Sequence, residues 1–225
     1  MKQNWWKILA CIFLIYSFSA GFLMPIPELN ILEQSIRNLF FHVPMWFAMM
    51  TMMFISLWYS IKYLNSNKVE FDIKASAFAQ VGFVFGLLGI TTGSVWAKVT
   101  WGAWWVFSEP KLNGAAAALL VYAAYFILRS SFDDEEKTAR FSAVYNLFAF
   151  VMFMVFINVL PRLTDSLHPG NGGNPGFNAY DLDSRLRAVF YPACMGWIII
   201  GYWLSSINIR IKKINRKILK LDLEI

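Results

Sequence analysis

The sequence has few charged residues, and only two cysteines and two histidines among its 225 residues. Charged residues make up 15% of the chain, whereas a soluble globular domain has about 25%. Cys11 and Cys194 both stand in apolar segments, which argues against a disulfide framework or a zinc site and indicates small core residues. Phosphate loops, metalloprotease helices and serine–histidine–acid arrangements are also missing, so we predict no catalytic residues and no enzyme.

Apolar residues are abundant and occur in long runs: 58% of the chain is hydrophobic and 18% is aromatic. A bilayer core about 30 Å thick is crossed by about 20 helical residues. Six segments reach that length, at roughly 5–24, 42–62, 75–96, 113–130, 141–160 and 189–208. We therefore predict a single polytopic, all-α integral membrane domain with six transmembrane helices. Pro25 is expected to end the first helix and Pro161 the fifth.

The first segment has a second interpretation, as a secretory signal. Lys2 and Lys7 would form its basic start, and the small residues at 17–20 loosely resemble a cleavage site. The apolar run continues to Met24, however, and Trp5 with its neighbour is typical of an interfacial anchor. We therefore favour a retained helix.

The lysines and arginines are distributed unevenly, which predicts the orientation of the chain. Fourteen of the 20 lie at the two termini and in the loops after spans two and four. Both termini are therefore expected in the cytoplasm, and the loops after spans one, three and five on the external face. Residues 209–225 form a basic cytoplasmic tail, expected to lie against anionic lipid and not to bind nucleic acid. The acidic run 133–136 is expected to start a helix.

The three external loops carry both histidines and a tryptophan-rich stretch. His42 opens the second span in "LFFHVPMWF", His168 lies in the loop 161–188, and "KVTWGAWWVFSEPKL" fills the loop between them. The loop 161–188 is longer than about 12–15 residues, and loops beyond that length are often functional. Taken singly, each feature is as well explained by interfacial anchoring. Together, two imidazoles and a set of indoles suit a flat metal macrocycle such as haem. Cations for its propionates would come from Arg37, Lys98, Lys111, Arg162, Arg185 and Arg187.

Two further absences bear on the alternatives. No charged residue lies clearly inside a predicted span, so an ion-coupled transporter loses support. No histidine lies deep in a span either, which argues against an ordinary b-type cytochrome with its haem between helices. A membrane b-type haem protein in electron transfer is kept as the alternative function. A non-haem scaffold subunit, whose tryptophans only anchor it, is a second alternative.

The segment "WGAWWVFSEPKL" resembles the tryptophan-rich WWD signature of the haem-handling proteins of cytochrome c maturation. The resemblance is strongest to the CcmC type, haem exporter protein C, and more distant to the CcsA type. It extends to six spans, to "FFHVP" at the start of the second span, and to "LHPG" in the third external loop. Nearly the whole chain is covered.

The resemblance implies residue roles and partners. His42 and His168 would be the axial ligands of haem b. The platform beneath the haem would consist of Trp101, Gly102, Trp104 and Trp105, with Phe107 in place of a further tryptophan. The implied function is to present haem to a membrane-anchored haem chaperone, together with ATP-binding-cassette subunits and a small single-span helper subunit. The implied location is the bacterial inner membrane, with the haem site facing the periplasm.

The sequence departs from the signature at three places. The aspartate of the motif is missing, and Glu109 takes its place only if Ser108 is an insertion. The segment "PRLTDSL" before His168 lacks the paired tryptophans often found there, and Pro169 stands where a glutamine is common. Both histidines are retained.

Overall fold

A computed structural model describes residues 4–26, 33–168 and 182–222. These residues form seven α-helices with two short helical segments of other types, and no strands. The helices are α1 (Trp5–Leu23), α2 (His42–Ser66), α3 (Val69–Trp101), α4 (Pro110–Ser130), α5 (Glu135–Met154), α6 (Leu160–Leu163) and α7 (Ser184–Asp222). A 3-10 helix, Glu33–Phe40, precedes α2, and a π-helical segment, Val155–Val159, joins α5 to α6.

Six helical stretches in the described residues are long and apolar enough to cross a membrane. This confirms the predicted all-α architecture with six spans. The helices extend beyond several of the predicted limits: α3 covers Val69–Trp101 where 75–96 was expected, and α7 continues to Asp222. An apolar run indicates only the part of a helix that can lie in the hydrocarbon core of the bilayer. The helical hydrogen-bond pattern can continue into the polar residues on either side of that run.

Short turns fix the antiparallel order of the helices. Asn67 ends α2 in the left-handed conformation, with φ of 53°, and its N–H bonds to Tyr63 O. Only this residue and Lys68 separate α2 from α3. The turn after α4 ends at Asp134, which caps α5 by accepting a hydrogen bond from Lys137 N. The acidic run therefore does begin a helix, as predicted.

Glycines on α3 bring α2 and α3 close together. A β-carbon at Gly86 would lie 2.6 Å from Met49 Sδ, and one at Gly89 would lie 2.8 Å from Trp46 Cε2. Small residues at helix interfaces allow such approach and the dispersion contacts that hold membrane helices together. The core between the helices is rich in methionine, with Met49 fully buried.

Pro161 does not end the fifth span, contrary to the prediction. The helix passes through the π-helical segment Val155–Val159 and continues as α6 to Leu163. A proline ring clashes with the carbonyl four residues before it, here that of Ile157 inside the π segment. The wider π turn changes the hydrogen-bond pattern at this position, so the helix can continue past the ring.

The two ends of the bundle differ in chemistry. We call the end defined by His42, Trp101, Glu109 and His168 the histidine end. At the opposite end, Asp72 and Arg129 form a buried bidentate ion pair with distances of 2.6 and 2.8 Å, which the sequence patterns did not predict. The last turns of α7 also lie there, with Arg216 paired to Glu135 and Lys213 to Glu70.

Candidate functional site

His42 is the first residue of α2, and its ring lies against α3. Nδ1 is 3.1 Å from Thr92 Oγ1, which itself donates to Leu88 O. A β-carbon at Gly93 would stand 2.7 Å from Cε1 of the imidazole, so only glycine leaves room for the ring. The hydroxyl and the glycine therefore hold the imidazole in one orientation. Because Nδ1 is the nitrogen in contact with Thr92, Nε2 is the candidate ligand atom.

His168 lies at the end of the described segment 33–168 and is packed among indoles. Its ring centroid is 4.9 Å from Trp101 in an edge-on arrangement and 5.7 Å from Trp96. The two indoles also contact each other, with centroids 5.1 Å apart. The histidine side chain is 19% exposed, so it is largely enclosed and still open to solvent on one side.

Glu109 connects the tryptophan-rich segment to the segment that carries His168. Its carboxylate accepts hydrogen bonds from Ser166 Oγ at 2.6 Å and from Leu167 N at 2.7 Å. Oε1 also lies 3.2 Å from His168 Nδ1, although the two atoms are not aligned as a good hydrogen bond. The carboxylate is 1% exposed.

The charge of this carboxylate is maintained despite its burial. Burial raises the pKa of Glu109, but His168, Ser166 and the backbone N–H groups of Leu167 and Lys111 oppose that effect and lower the pKa to about 2. Glu109 is therefore ionised at neutral pH. The charge sits beside Nδ1 of His168, where it favours the tautomer with a proton on Nδ1 and a lone pair on Nε2.

The last turns of α3 bring both histidines to one place. His42 contacts Thr92, and His168 contacts Trp96 and Trp101. Thr92 and Trp96 are four residues apart, which places them on the same face of the helix one turn of about 5.4 Å apart. Two residues separated by more than a hundred positions in the chain thus pack against neighbouring turns of a single helix.

The profile of the Heme exporter protein C family, CcmC, matches residues 1–224. The chain belongs to this family. The Heme exporter protein C of Escherichia coli K12 is 25% identical over 198 residues, which cover 84% of this chain and 72% of that protein. The Heme exporter protein C of Bradyrhizobium diazoefficiens is 30% identical over 50% of this chain and 43% of its own. The cytochrome c biogenesis protein CcsA of Prochlorococcus marinus is 33% identical over 42% of this chain and 30% of its own.

Membership in the CcmC family confirms the resemblance suggested by the tryptophan-rich segment, and the structure distributes that segment over a helix end and a turn. Trp101 is the last residue of α3, and Gly102 ends the helix with a φ of 76°, a conformation that favours glycine. Trp105 Nε1 donates to Asn113 Oδ1 at 3.3 Å. Trp104 and Phe107 are 60% and 84% exposed. Of these residues, Trp101 contacts His168.

Several site residues were missed by the sequence analysis. Thr92, Gly93, Trp96 and Ser166 were not singled out as site residues. The spacing of Thr92 and Trp96, with a glycine between them, places a hydrogen-bonding group and an indole on one helix face. That pattern indicates a binding site only once the structure shows that Thr92 contacts His42 and Trp96 contacts His168. Pro169 and the rest of the loop to residue 181 lie outside the described residues.

The cations suggested for the propionates are in part engaged elsewhere. Arg37 donates to Gly21 O at 2.7 Å, and Arg185 pairs with Asp183 at 3.0 Å. Lys98 donates to Gly102 O at 2.8 Å, and Arg162 bonds to Asn158. These contacts fix helix ends and turns.

Proposed function

We propose that this chain binds haem b at the histidine end, with His42 and His168 as axial ligands, and presents it to a membrane-anchored haem chaperone during cytochrome c biogenesis. The observation that carries the proposal is that an oxygen atom of the protein lies 3.1 or 3.2 Å from Nδ1 of each imidazole. In each, Nδ1 faces a partner within the protein, Thr92 Oγ1 or Glu109 Oε1, and Nε2 is left for a metal. Metal-binding histidines are typically held in this way by the second ring nitrogen.

The surroundings of the histidines fit a haem. Trp96 and Trp101 supply flat apolar surfaces beside His168, and Trp46 contacts His42 edge-on with centroids 6.3 Å apart. The described residues contain no group of three or more histidine, cysteine or acidic side chains suited to a bare metal ion. Two imidazoles with aromatic neighbours are the donor set of a six-coordinate haem, in which the macrocycle supplies the other four ligands.

The proposed role is binding and transfer, not catalysis. Bound haem would supply the iron and the reactive vinyl groups, while the protein supplies ligation and position. His168 stands in a loop outside the helices, and a ligand on a loop can leave the metal more readily than one in a packed helix. Exposed apolar residues at the histidine end, Phe107, Leu163 and Leu167, offer a surface to the acceptor.

The proposed location is the bacterial inner membrane, with the histidine end facing the periplasm. Ion pairs from Lys213 and Arg216 hold the basic end of α7 against Glu70 and Glu135, beside the turns α2–α3 and α4–α5. The basic segments therefore share the end opposite to the histidines, as the positive-inside rule requires. The proposed partners are the chaperone, ATP-binding-cassette subunits and a small single-span helper subunit. Contact of the basic tail with anionic lipid is part of the same proposal.

The test is the visible spectrum of the full-length chain, purified in detergent after expression with ample haem. We expect a six-coordinate haem spectrum in the wild type and its weakening or shift in both His42→Ala and His168→Ala. Added imidazole should restore the six-coordinate bands in His42→Gly and His168→Gly by filling the vacated positions. Haem that is unaffected by either substitution would overturn the ligand assignment, and absence of haem from the wild type would favour a scaffold subunit.

A second measurement separates haem delivery from electron transfer. The haem-loaded chain is mixed with an excess of an apo-protein that binds free haem tightly, and the loss of its spectrum is followed over time. We expect transfer within minutes to hours for a haem-delivery protein. Retention of haem together with reversible reduction and reoxidation would instead support a membrane electron carrier.

A further inference from the structure

We infer that Glu109 is a positioning residue for His168, which orients the imidazole and increases its strength as an iron ligand. The inference rests on the proposed function, because it concerns how one of the two proposed ligands is held. It adds a role for a residue at which this chain departs from the tryptophan-rich signature. Glu109 itself would not touch the iron.

The contacts of Glu109 converge on His168 along two routes. The direct route is the 3.2 Å approach of Oε1 to Nδ1 of the ring. The indirect route fixes the backbone before the histidine: Ser166 Oγ and Leu167 N both donate to the carboxylate, and Ser166 Oγ also accepts from His168 N at 3.2 Å. Three consecutive residues are therefore tied to one carboxylate that stands 57 or more positions earlier in the chain.

The capping of α4 does not by itself account for this arrangement. Glu109 is the N-cap of α4, and its Oε1 accepts a hydrogen bond from Lys111 N at 3.1 Å. Asp134 caps α5 in the same way through Lys137 N, but its side chain remains exposed. A carboxylate can therefore cap a helix N-terminus without being buried and without accepting hydrogen bonds from other segments. Burying a carboxylate costs free energy unless it is compensated, and here the compensation comes from the segment 166–168.

The length of the side chain also matters. Glutamate reaches one methylene further than the aspartate of the signature, and Ser108 shifts it by one residue along the chain. These two differences occur together at the residue that reaches Ser166, Leu167 and the histidine ring. The longer side chain of Glu109 therefore makes a contact between the tryptophan-rich segment and the segment that carries His168.

The chemical consequence follows from the position of the charge. The negative charge of a carboxylate 3.2 Å from Nδ1 favours a proton on that nitrogen and makes Nε2 a more basic ligand. A more basic imidazole stabilises ferric over ferrous iron. Removing the charge should therefore weaken haem binding and shift the reduction potential of the bound haem to more positive values.

The test compares Glu109→Gln with the matched control Asp134→Asn, both in the full-length, haem-loaded chain in detergent. Each substitution converts an N-cap carboxylate to an amide of the same size. We expect Glu109→Gln to increase the rate of haem loss about 10- to 100-fold and to shift the potential to more positive values. Asp134→Asn should leave both quantities at the wild-type values. Unchanged loss rate and potential in a folded Glu109→Gln protein would overturn the inference.

Ser166→Ala provides a second variant in case Glu109→Gln does not fold. It removes one donor to the carboxylate and the contact with His168 N, and retains the charge. We expect faster haem loss than in wild type, with a smaller effect than that of Glu109→Gln, and an unchanged rate would again contradict the inference. His168→Ala separates the two proposals. If it leaves the spectrum unchanged, the ligand assignment fails; if it alters the spectrum while Glu109→Gln and Ser166→Ala do not, only the positioning role fails.

Discussion

Gly93 of α3 lies directly beneath the ring of His42, so close that a β-carbon there would be 2.7 Å from Cε1 of the imidazole. Contacts that short do not occur without displacement of one partner. The His42 ring is also held by Thr92, through the 3.1 Å contact between Nδ1 and Oγ1. Two adjacent residues of α3 therefore set both the distance and the orientation of this imidazole. This relationship can be tested without altering the histidine itself.

Gly93→Ala should displace the His42 ring and weaken haem binding about 5- to 150-fold, as overpacking typically costs about 1–3 kcal/mol. The helix itself should tolerate the change, since alanine is the better helix former. Haem affinity is measured by titration and helical content by circular dichroism. Gly82→Ala is the matched control, because its β-carbon would meet the flexible end of Met53 at 3.1 Å. Equal haem affinity in the two variants would contradict the assigned role of Gly93.

Thr92→Val should loosen the orientation of His42, because valine has the shape of threonine and lacks the hydroxyl. We expect the rate of haem loss to increase about 2- to 10-fold, the equivalent of one hydrogen bond of about 0.5–1.5 kcal/mol. The neighbouring Thr91→Val is the control, since the Thr91 hydroxyl bonds only to carbonyls of its own helix. If both variants lose haem at the same rate, the contact with His42 has no role in binding.

Trp101→Leu should reduce haem retention several-fold while the chain still folds. The indole contacts both His168 and Trp96, and aromatic pairs contribute about 0.5–1.5 kcal/mol beyond their buried area. Trp58→Leu serves as control at the opposite end of the bundle, where the exposed indole contacts Lys62. Absorption spectra at equal protein concentration give the haem content. A scaffold whose tryptophans only anchor the chain would show equal haem content in both variants.

Asp72→Asn should destabilise the bundle by about 3–5 kcal/mol, because it leaves the Arg129 guanidinium buried without its anionic partner. The free energy of unfolding is measured by denaturant titration in detergent micelles. The exposed Glu70, which pairs with Lys74 and Lys213, gives the control Glu70→Gln with an expected effect below about 1 kcal/mol. The protein that remains folded in Asp72→Asn should keep the wild-type haem spectrum, since the pair lies far from the histidine end. A loss of haem without a loss of stability would contradict a purely structural role for the pair.

The number of spans and the order of the helices could be predicted from the sequence because they depend on local properties. Long apolar runs indicate membrane helices wherever they occur, and the CcmC resemblance agrees with them. Helix ends were predicted less well. Pro161 illustrates the reason: its effect depends on whether the preceding turn is α or π, and that is decided by packing.

The sequence by itself determined that both histidines and the tryptophan-rich segment lie at one end of the bundle. An odd number of spans precedes each of them, and in a chain of alternating helices this parity alone fixes the end. Only the tertiary structure decided what each imidazole faces. The contacts of His42 with Thr92 and of Glu109 with Ser166 join residues 50 and 57 positions apart. Such contacts depend on how each helix is rotated about its axis and where each loop returns, and no local pattern records either quantity.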